Sequence, residues 1–275
     1  MIGQKISITS SKPQTTRHIV TGIYTDQLMQ MVFFDTPGLH NNQQPNALNK
    51  HLNRTASGAV EGADVVLFMV EAGVFSEGDA TALMRLSNFE GKVILVANKI
   101  DKIDQRDVLL PYLAQMMERY PFAECVPVTA LSGGKTLKHL KNVIAKYLPE
   151  QEFLYDEDEI TTASRSFLAA EALREKLTRR LNQELPYSLT VEIESFEIEG
   201  RLYRIHAIIW VERESQKGIV IGKGGELLKE ASTQARQDLE KLFDKKVFLK
   251  AYVKVRAGWS DDERALHSLG FKALE

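Results

Sequence analysis

Two short strings of residues carry the strongest chemical signals. Asp35-Thr36-Pro37-Gly38 follows directly on the apolar run Met31 to Phe34, and Asn98-Lys99-Ile100-Asp101 follows Val93 to Ala97. A carboxylate at a strand's end can hold Mg²⁺, usually through water, and a glycine three residues on lets its N–H approach a terminal phosphate unobstructed. In the second string an aspartate can accept two parallel hydrogen bonds from the ring N–H and exocyclic amine of guanine, a pattern adenine does not offer. The asparagine would hold that loop and the lysine stem would cover the base. Each string alone is also a common surface turn, so order matters. Thr129-Ala130-Leu131 follows a third apolar run, Cys125 to Val128, where a small-residue turn can offer backbone N–H to a guanine carbonyl. Carboxyl ends of strands are where open α/β sheets bind ligands.

A different chemistry stands in the second half. Val220-Ile221-Gly222-Lys223-Gly224-Gly225-Glu226 lies between two helical patterns, and helices joined by a G-x-x-G loop are the KH device for clamping a sugar–phosphate backbone. Lys217 to Arg256 holds ten basic residues against five acidic ones, whereas Glu152 to Gln216 holds eight against fourteen. The net charge of -2 conceals this local basic face. Lys223 would be the central phosphate contact, with Lys217, Lys229 and Arg236 as supports.

The elements that must position these residues are legible from periodicity. In the first half the runs Ile19 to Tyr24, Met31 to Phe34, Val65 to Val70, Val93 to Ala97 and Cys125 to Val128 read as strands, several buried on both faces, with helical patterns in the longer gaps. That is an α/β sheet with helices on both faces. The acidic stretch around Tyr155 to Glu159 reads as a linker. Beyond it, a helix stripe from Phe167 to Leu181 leads into alternation at Leu189, Val191 and Ile193 that flips phase to Phe196 and Ile198. A one-residue slip of that kind marks a β-bulge near Ser195. A strand over Leu202 to Val211, a helix from Leu228 to Leu242 and a strand over Val247 to Val255 complete an α+β domain.

Composition bounds the class. The chain has 275 residues, 44% hydrophobic and 26% charged, room for about two folded domains. Its longest apolar run, Val65 to Val70, is far short of the ~20 residues of a membrane helix. Met1 to Arg17 has no apolar core of the signal-peptide kind. One cysteine, Cys125, excludes an intramolecular disulfide and suits a reducing cytosol. It reads as inert core. His18, His40 and His206 have no partners at metal spacing, and Trp259 reads as an anchor for the C-terminal segment.

The chain resembles the Era family of bacterial GTPases. The matching stretches are Gly3 to Ser10, Gln14-Thr15-Thr16-Arg17-His18, Asp35-Thr36-Pro37-Gly38-Leu39-His40, Asn98 to Asp101, Glu184-Leu185-Pro186-Tyr187-Ser188, Gly222 to Gly225 and Gly258 to Leu266. The resemblance implies a Ras-like GTPase sheet over residues 1–149, a linker over 150–163 and a type II KH domain with a C-terminal tail over 164–275. It implies GTP or GDP with Mg²⁺, held by Thr16 and, through water, Asp35. Thr36, Pro37, Gly38, Leu39, Asn98, Lys99, Asp101, Thr129 and Ala130 would surround the nucleotide. Thr16, Asp35 and Gly38 would lie at the reacting phosphate. Leu39 stands where Ras-like enzymes place a water-orienting glutamine, so hydrolysis should be slow unaided. The implied partners are the 3′ end of 16S rRNA and the 30S subunit. The implied setting is a monomer in the cytoplasm, with peripheral contact at the inner face of the cell membrane.

One element of the family pattern is not in the sequence. No strand ends in G-x-x-x-x-G-K-[S/T], the loop whose backbone and lysine cradle phosphates. Gly134-Lys135-Thr136 is a near miss whose first glycine would fall on Thr129, in the guanine-loop slot. The resemblance places a strand between Met31–Phe34 and Val65–Val70, so their facing edges should lack backbone partners. Either Met1 is a misplaced start or the GTPase half is a shortened form. The alternative function is an assembly factor that works through its KH domain without nucleotide.

Overall fold

The computed structural model describes residues 1–12, 14–38, 46–103, 106–182 and 185–271. Leu39, His40 and Glu184 therefore lie outside the described residues. In the first half β1 (Val20–Thr25) and β2 (Gln30–Asp35) form an antiparallel hairpin. Its turn is closed by the Asp26 carboxylate, which accepts from the backbone N–H of Leu28 and Met29 at 2.9 and 3.0 Å. Next come α1 (Ala47–Glu61), β3 (Val65–Glu71), α2 (Glu77–Arg85), β4 (Lys92–Asn98), α3 (Arg106–Arg119), β5 (Glu124–Pro127) and α4 (Lys135–Ala145). β3, β4 and β5 are parallel, in that order, and Val93 to Ala97 of the central strand are all buried, as their unbroken apolar run predicts. Side-chain oxygens start two helices. Asn46 accepts from Asn49 N at the head of α1, and Ser76 and Asp79 form a reciprocal capping box on α2.

The hairpin and the parallel sheet are separate sheets. β2 pairs only with β1 and β3 only with β4, so the facing edges of β2 and β3 have no backbone partner among the described residues. This is the division that the family pattern led us to expect. What joins the pieces is apolar packing, with Met31 and Phe33 of β2 in one cluster with Val65, Leu67, Ile94 and Val96.

The second half comprises α5 (Arg165–Arg180), β6 (Leu189–Glu199), β7 (Leu202–Val211), α6 (Glu214–Ile221), α7 (Glu226–Phe243), β8 (Lys246–Val255) and α8 (Glu263–Ser268). Ser164 caps α5 by accepting from Phe167 N at 3.1 Å, a contact that contributes about 1 kcal/mol. β6 and β7 are antiparallel and β7 and β8 parallel, with the register shift between Ile193 and Ser195 that the phase flip predicts. α5, α6 and α7 cover one face, where Leu173, Leu177, Ala207, Ile209, Val211, Ala231, Ala235 and Val253 make the core. Trp259 is buried, as its reading as an anchor implies, and the segment it anchors reaches across the molecule. Trp259, Leu266, Leu269 and Phe271 share a cluster with Leu48 and Leu52 of α1, and Asp261 Oδ1 accepts from Ala47 N at 3.0 Å.

The acidic segment before α5, read from the sequence as a linker, is hydrogen-bonded to the hairpin. Ile160 O accepts from Ile23 N at 2.9 Å, Thr161 donates to Thr21 O at 2.6 Å, and Gln30 Oε1 accepts from the N–H of Leu154 and Tyr155. Those bonds lay the segment along the hairpin's outer edge. The N-terminal segment in turn meets α5, Lys5 and Thr9 bonding Glu175 and Lys12 donating to Thr178 O at 2.7 Å. Arg17 is fully buried and donates to Leu189 O at 2.7 Å, Pro186 O at 2.9 Å and Tyr187 O at 3.1 Å. Arg174, doubly bonded to Glu171 at 2.7 Å, also donates to Thr15 O.

His18 is enclosed beside this cluster, edge-on to Phe167 at 5.4 Å and stacked on Phe271 at 4.5 Å. Burial pushes its pKa down to about 4, with Arg174, Arg17 and His51 acting the same way and Glu171 opposing. The unfolded chain takes up that proton near pH ~6.5, so this stabilisation is complete above that pH and is lost as the pH falls towards the folded value. The loss should total about 3 kcal/mol. Urea midpoints of the parent should therefore fall more steeply between neutral and acid pH than those of His18→Phe, which keeps the ring stack. Equal slopes would show that His18 does not carry the effect.

Candidate nucleotide and nucleic-acid sites

Asp35 ends β2, and Thr16 reaches it from the irregular N-terminal segment, Oγ1 donating to Asp35 Oδ2 at 3.4 Å. The two residues expected to share Mg²⁺ are thus neighbours. The Asp35 carboxylate meets solvent at the mouth of a recess of about 320 Å³ lined by Lys5, Ser7, Gly22 and Phe33 among others. The surrounding protein desolvates it and raises its pKa, while hydrogen bonds from Ser7 and Thr16 act the other way. A carboxylate held in that balance gains from a cation. Thr36, Pro37 and Gly38 continue directly from it, with Pro37 buried and Gly38 exposed.

On the parallel sheet, register places Glu71 opposite Asn98 and Ala97 opposite Pro127, so three loops leave one edge together. Asn98 Oδ1 accepts from Lys99 N at 2.8 Å and from Ala130 N at 3.0 Å, stitching the Asn98 to Asp101 loop to the Thr129 to Ala130 loop. This is the holding role its amide was expected to play. Lys99 has φ +63°, and its ammonium pairs with Glu71, which also takes Lys102 at 2.9 Å. Those two hydrogen bonds hold the Glu71 carboxyl below its usual pKa. Asp101 sits in the 3₁₀ turn Ile100–Lys102, exposed, and its carboxylate makes no hydrogen bond among the described residues. Gly134-Lys135-Thr136 begins α4, with Thr136 Oγ1 accepting from Thr129 N at 3.4 Å, and so closes the guanine-side loop.

The G-x-x-G loop joins α6 to α7 through a 3₁₀ turn, Lys223–Gly225. Gly222, Gly224 and Gly225 have φ of +76°, +61° and +82°. At Gly222 there is a second requirement, because a Cβ would stand 2.8 Å from Leu227 Cβ and 3.1 Å from Leu227 N. The loop borders an open depression of about 380 Å³ lined by Arg180, Gly222, Lys223, Glu226, Leu227 and Glu230. Lys223 and Lys229 are exposed. Lys217 lies 3.8 Å from Glu214 on its own helix, and Arg236, further along α7, is paired with Glu240 at 2.9 Å. The expected cations therefore do not converge on one point. Lys223 and Lys229 flank the loop, while Arg236 is tied to its own helix.

Comparison with known proteins bears on both halves of the chain. The family model described as a 50S ribosome-binding GTPase matches residues 1–99, and the KH domain model matches residues 184–260. The chain is 49% identical over 274 residues to the GTPase Era of Pseudomonas fluorescens, covering 100% of this chain and 91% of that protein. It is 49% identical over 272 residues to the GTPase Era of Azotobacter vinelandii, covering 99% and 90%. This chain belongs to the Era GTPase family. A crystal structure of Era in complex with MgGDPNP and nucleotides 1506-1542 of 16S ribosomal RNA superposes with TM-score 0.92 at 36% identity, covering 99% of this chain and 92% of that one. The same figures hold for an Aquifex aeolicus Era variant bound to GDP·AlF4⁻. The architecture is that of Era, a Ras-like α/β GTPase domain followed by a KH domain.

Several site residues of this Era family member were not found by sequence reasoning. Ser7, Glu71 and Arg180 each touch a site through a partner distant in sequence, and no local pattern announces them. Arg17 could have been suspected only as a cation inside the stretch that carries Thr16. The loop's backbone demand gives a direct test. Gly222→Ala should destabilise the protein by about 1–3 kcal/mol, since it meets both an unfavourable φ and a close backbone. Chemical denaturation reads this, and a variant as stable as the parent would mean that the α6–α7 junction relaxes freely.

Proposed function

We propose that this protein binds the 3′ end of 16S rRNA through its KH domain and assists assembly of the 30S ribosomal subunit, with GTP or GDP and Mg²⁺ as its nucleotide ligands. The observation that carries the reading is the Gly222 to Gly225 loop, whose left-handed glycines present Lys223 at an open depression between two helices. On the nucleotide side, Thr16 and Asp35 would hold Mg²⁺, Gly38 would meet the terminal phosphate, and Asn98, Lys99, Asp101, Thr129 and Ala130 would take the guanine. Bound Mg²⁺ would supply charge neutralisation for the phosphates and for hydrolysis of GTP. The domain division we adopt is 1–149, 150–163 and 164–275. We place the protein in the cytoplasm as a monomer, with peripheral contact at the inner membrane face. Among the described residues no helix is long and apolar enough to cross a membrane.

A second reading has its own support. The separate pairing of the hairpin and of the β3, β4 and β5 sheet favours a nucleotide-independent assembly factor acting through its KH domain. In both readings the RNA contact is shared, so it is the part to test first. Replacing Lys223 and Gly224 with aspartates puts two negative charges where a polyanion must sit and leaves the outer glycines in place. Aspartate tolerates the left-handed conformation at Gly224 better than most residues. Affinity for single-stranded RNA from the 3′ end of 16S rRNA should fall at least about tenfold, or roughly 1.4 kcal/mol, with the circular dichroism unchanged. Lys217→Ala should do less and mainly flatten the salt dependence. A folded double-aspartate variant that binds like the parent would remove the KH assignment.

A further inference from the structure

The sheet of the second half has one face that α5, α6 and α7 leave open, met by the C-terminal cluster at Trp210, and its residues alternate in a particular way. On β8 the side chains of Val247, Leu249, Ala251, Val253 and Val255 join the core, so Lys246, Phe248, Lys250, Tyr252 and Lys254 stand on the opposite face. All five are exposed, Phe248 and Tyr252 at 39% each, although an aromatic ring in a strand normally finds cover. β7 adds Arg204, His206 and Trp210 in register with Phe248, Lys250 and Lys254. Cations lie over the rings, Arg204 at 5.1 Å from Phe248, Lys250 at 5.1 Å from Tyr252 and Lys254 at 5.9 Å from Trp210.

We propose that this β8 strip is a second binding surface for single-stranded RNA, with Phe248 and Tyr252 stacking bases and Lys246, Lys250 and Lys254 meeting the backbone. The inference rests on the RNA-binding reading above and extends it beyond the G-x-x-G loop. Charge selects the occupant. The lysines favour a polyanion, and flat exposed rings between them favour one that carries bases over an acidic peptide or a lipid headgroup. Phe248 and Tyr252 are about 13 Å apart along the strand, with Lys250 between them, which leaves one base to each ring and phosphate over the ammonium. Along β6, Glu192, Glu197 and Glu199 face the same side, opposite Ile208, Arg204 and Leu202. This acidic row repels phosphate from the far edge, and Glu194 of β6 holds Lys254 at 3.4 Å, a pair that a phosphate there would displace. α6, which leads into the G-x-x-G loop, packs on the core face of β8 through Val220, and β8 is the edge strand, so an RNA passing from the loop to the strip would round that edge. A G-x-x-G loop clamps about four nucleotides, and a longer RNA needs a surface of this kind to continue.

The test compares an RNA of about four nucleotides, which fills the loop alone, with one of about twelve from the same 3′ end of 16S rRNA. Phe248→Ala with Tyr252→Ala should weaken the longer RNA at least about tenfold and leave the shorter one unchanged. Lys250→Glu should weaken the longer RNA and reduce its salt slope. Ultraviolet crosslinks from the longer RNA should map to Phe248 or Tyr252. Parent-like affinity of both variants for the longer RNA would overturn the strip, as would equal losses on both RNAs. The double-aspartate loop variant, measured beside them, separates the two failures. If it loses both RNAs while the strip variants bind like the parent, the strip alone is wrong. If it too binds like the parent, the RNA-binding reading fails and the strip with it.

Discussion

An extended strand presents N–H and C=O groups that need partners, and between β2 and β3 those groups have none among the described residues. Each such group costs on the order of 1–3 kcal/mol where it is kept from water. The residues proposed for the nucleotide straddle this division. Thr16 and Asp35 stand with the hairpin, while Asn98, Lys99, Asp101 and Ala130 stand on the unbroken ladder of β3, β4 and β5. The guanine side is therefore braced by backbone hydrogen bonds. The hairpin that carries Asp35 meets it through side chains, Tyr24, Met29, Met31 and Phe33 in one cluster with Ile94 and Val96 and Lys141 lying 3.6 Å from the Tyr24 ring.

A second constraint compensates in part. A guanidinium removed from water must find acceptors, and Arg17 finds the carbonyls of Pro186, Tyr187 and Leu189 at the start of the KH domain. Its Nε has no partner, and burial brings its pKa down to about 9, so it stays charged at neutral pH. Removing any of its acceptors would leave a buried charge poorly met, a loss of several kcal/mol. Arg17 adjoins Thr16, so the segment that carries Thr16 is tied to the KH half of the chain as well as to Asp35 of the hairpin. The docking of Trp259 and Leu266 on α1 ties the same two halves at a second point.

What the sequence made legible was whatever repeats over a few residues. The unbroken run at Val93 to Ala97 announced a strand buried on both faces, the phase flip between Ile193 and Phe196 announced the bulge, and glycine spacing announced the loop at Gly222 to Gly225. The strings at Asp35 and Asn98 were legible because their chemistry is local. Contacts spanning the chain were not. Arg17 bonds residues about 170 positions away, Gln30 holds the segment near Tyr155, and the C-terminal segment packs on α1, none of which any period encodes. The acidic segment was read as a linker because its composition is that of one. Its backbone partners on β1 are invisible to composition.

The central proposal is that Asn98, Lys99, Asp101, Thr129 and Ala130 take the guanine while Thr16 and Asp35 hold Mg²⁺ on a separately paired hairpin, so that a strand pairing β2 with β3 and carrying a phosphate-binding loop strengthens triphosphate binding. The most direct measurement is a titration with a fluorescent GTP analogue, made on this chain and on the same chain preceded by a strand and a G-x-x-x-x-G-K-S loop of the family type. The account predicts that the extension strengthens binding at least about tenfold, as a pairing strand and phosphate contacts are restored together. Equal affinities would contradict it, and would mean that the hairpin, Asp35 and Thr16 suffice to hold the phosphates.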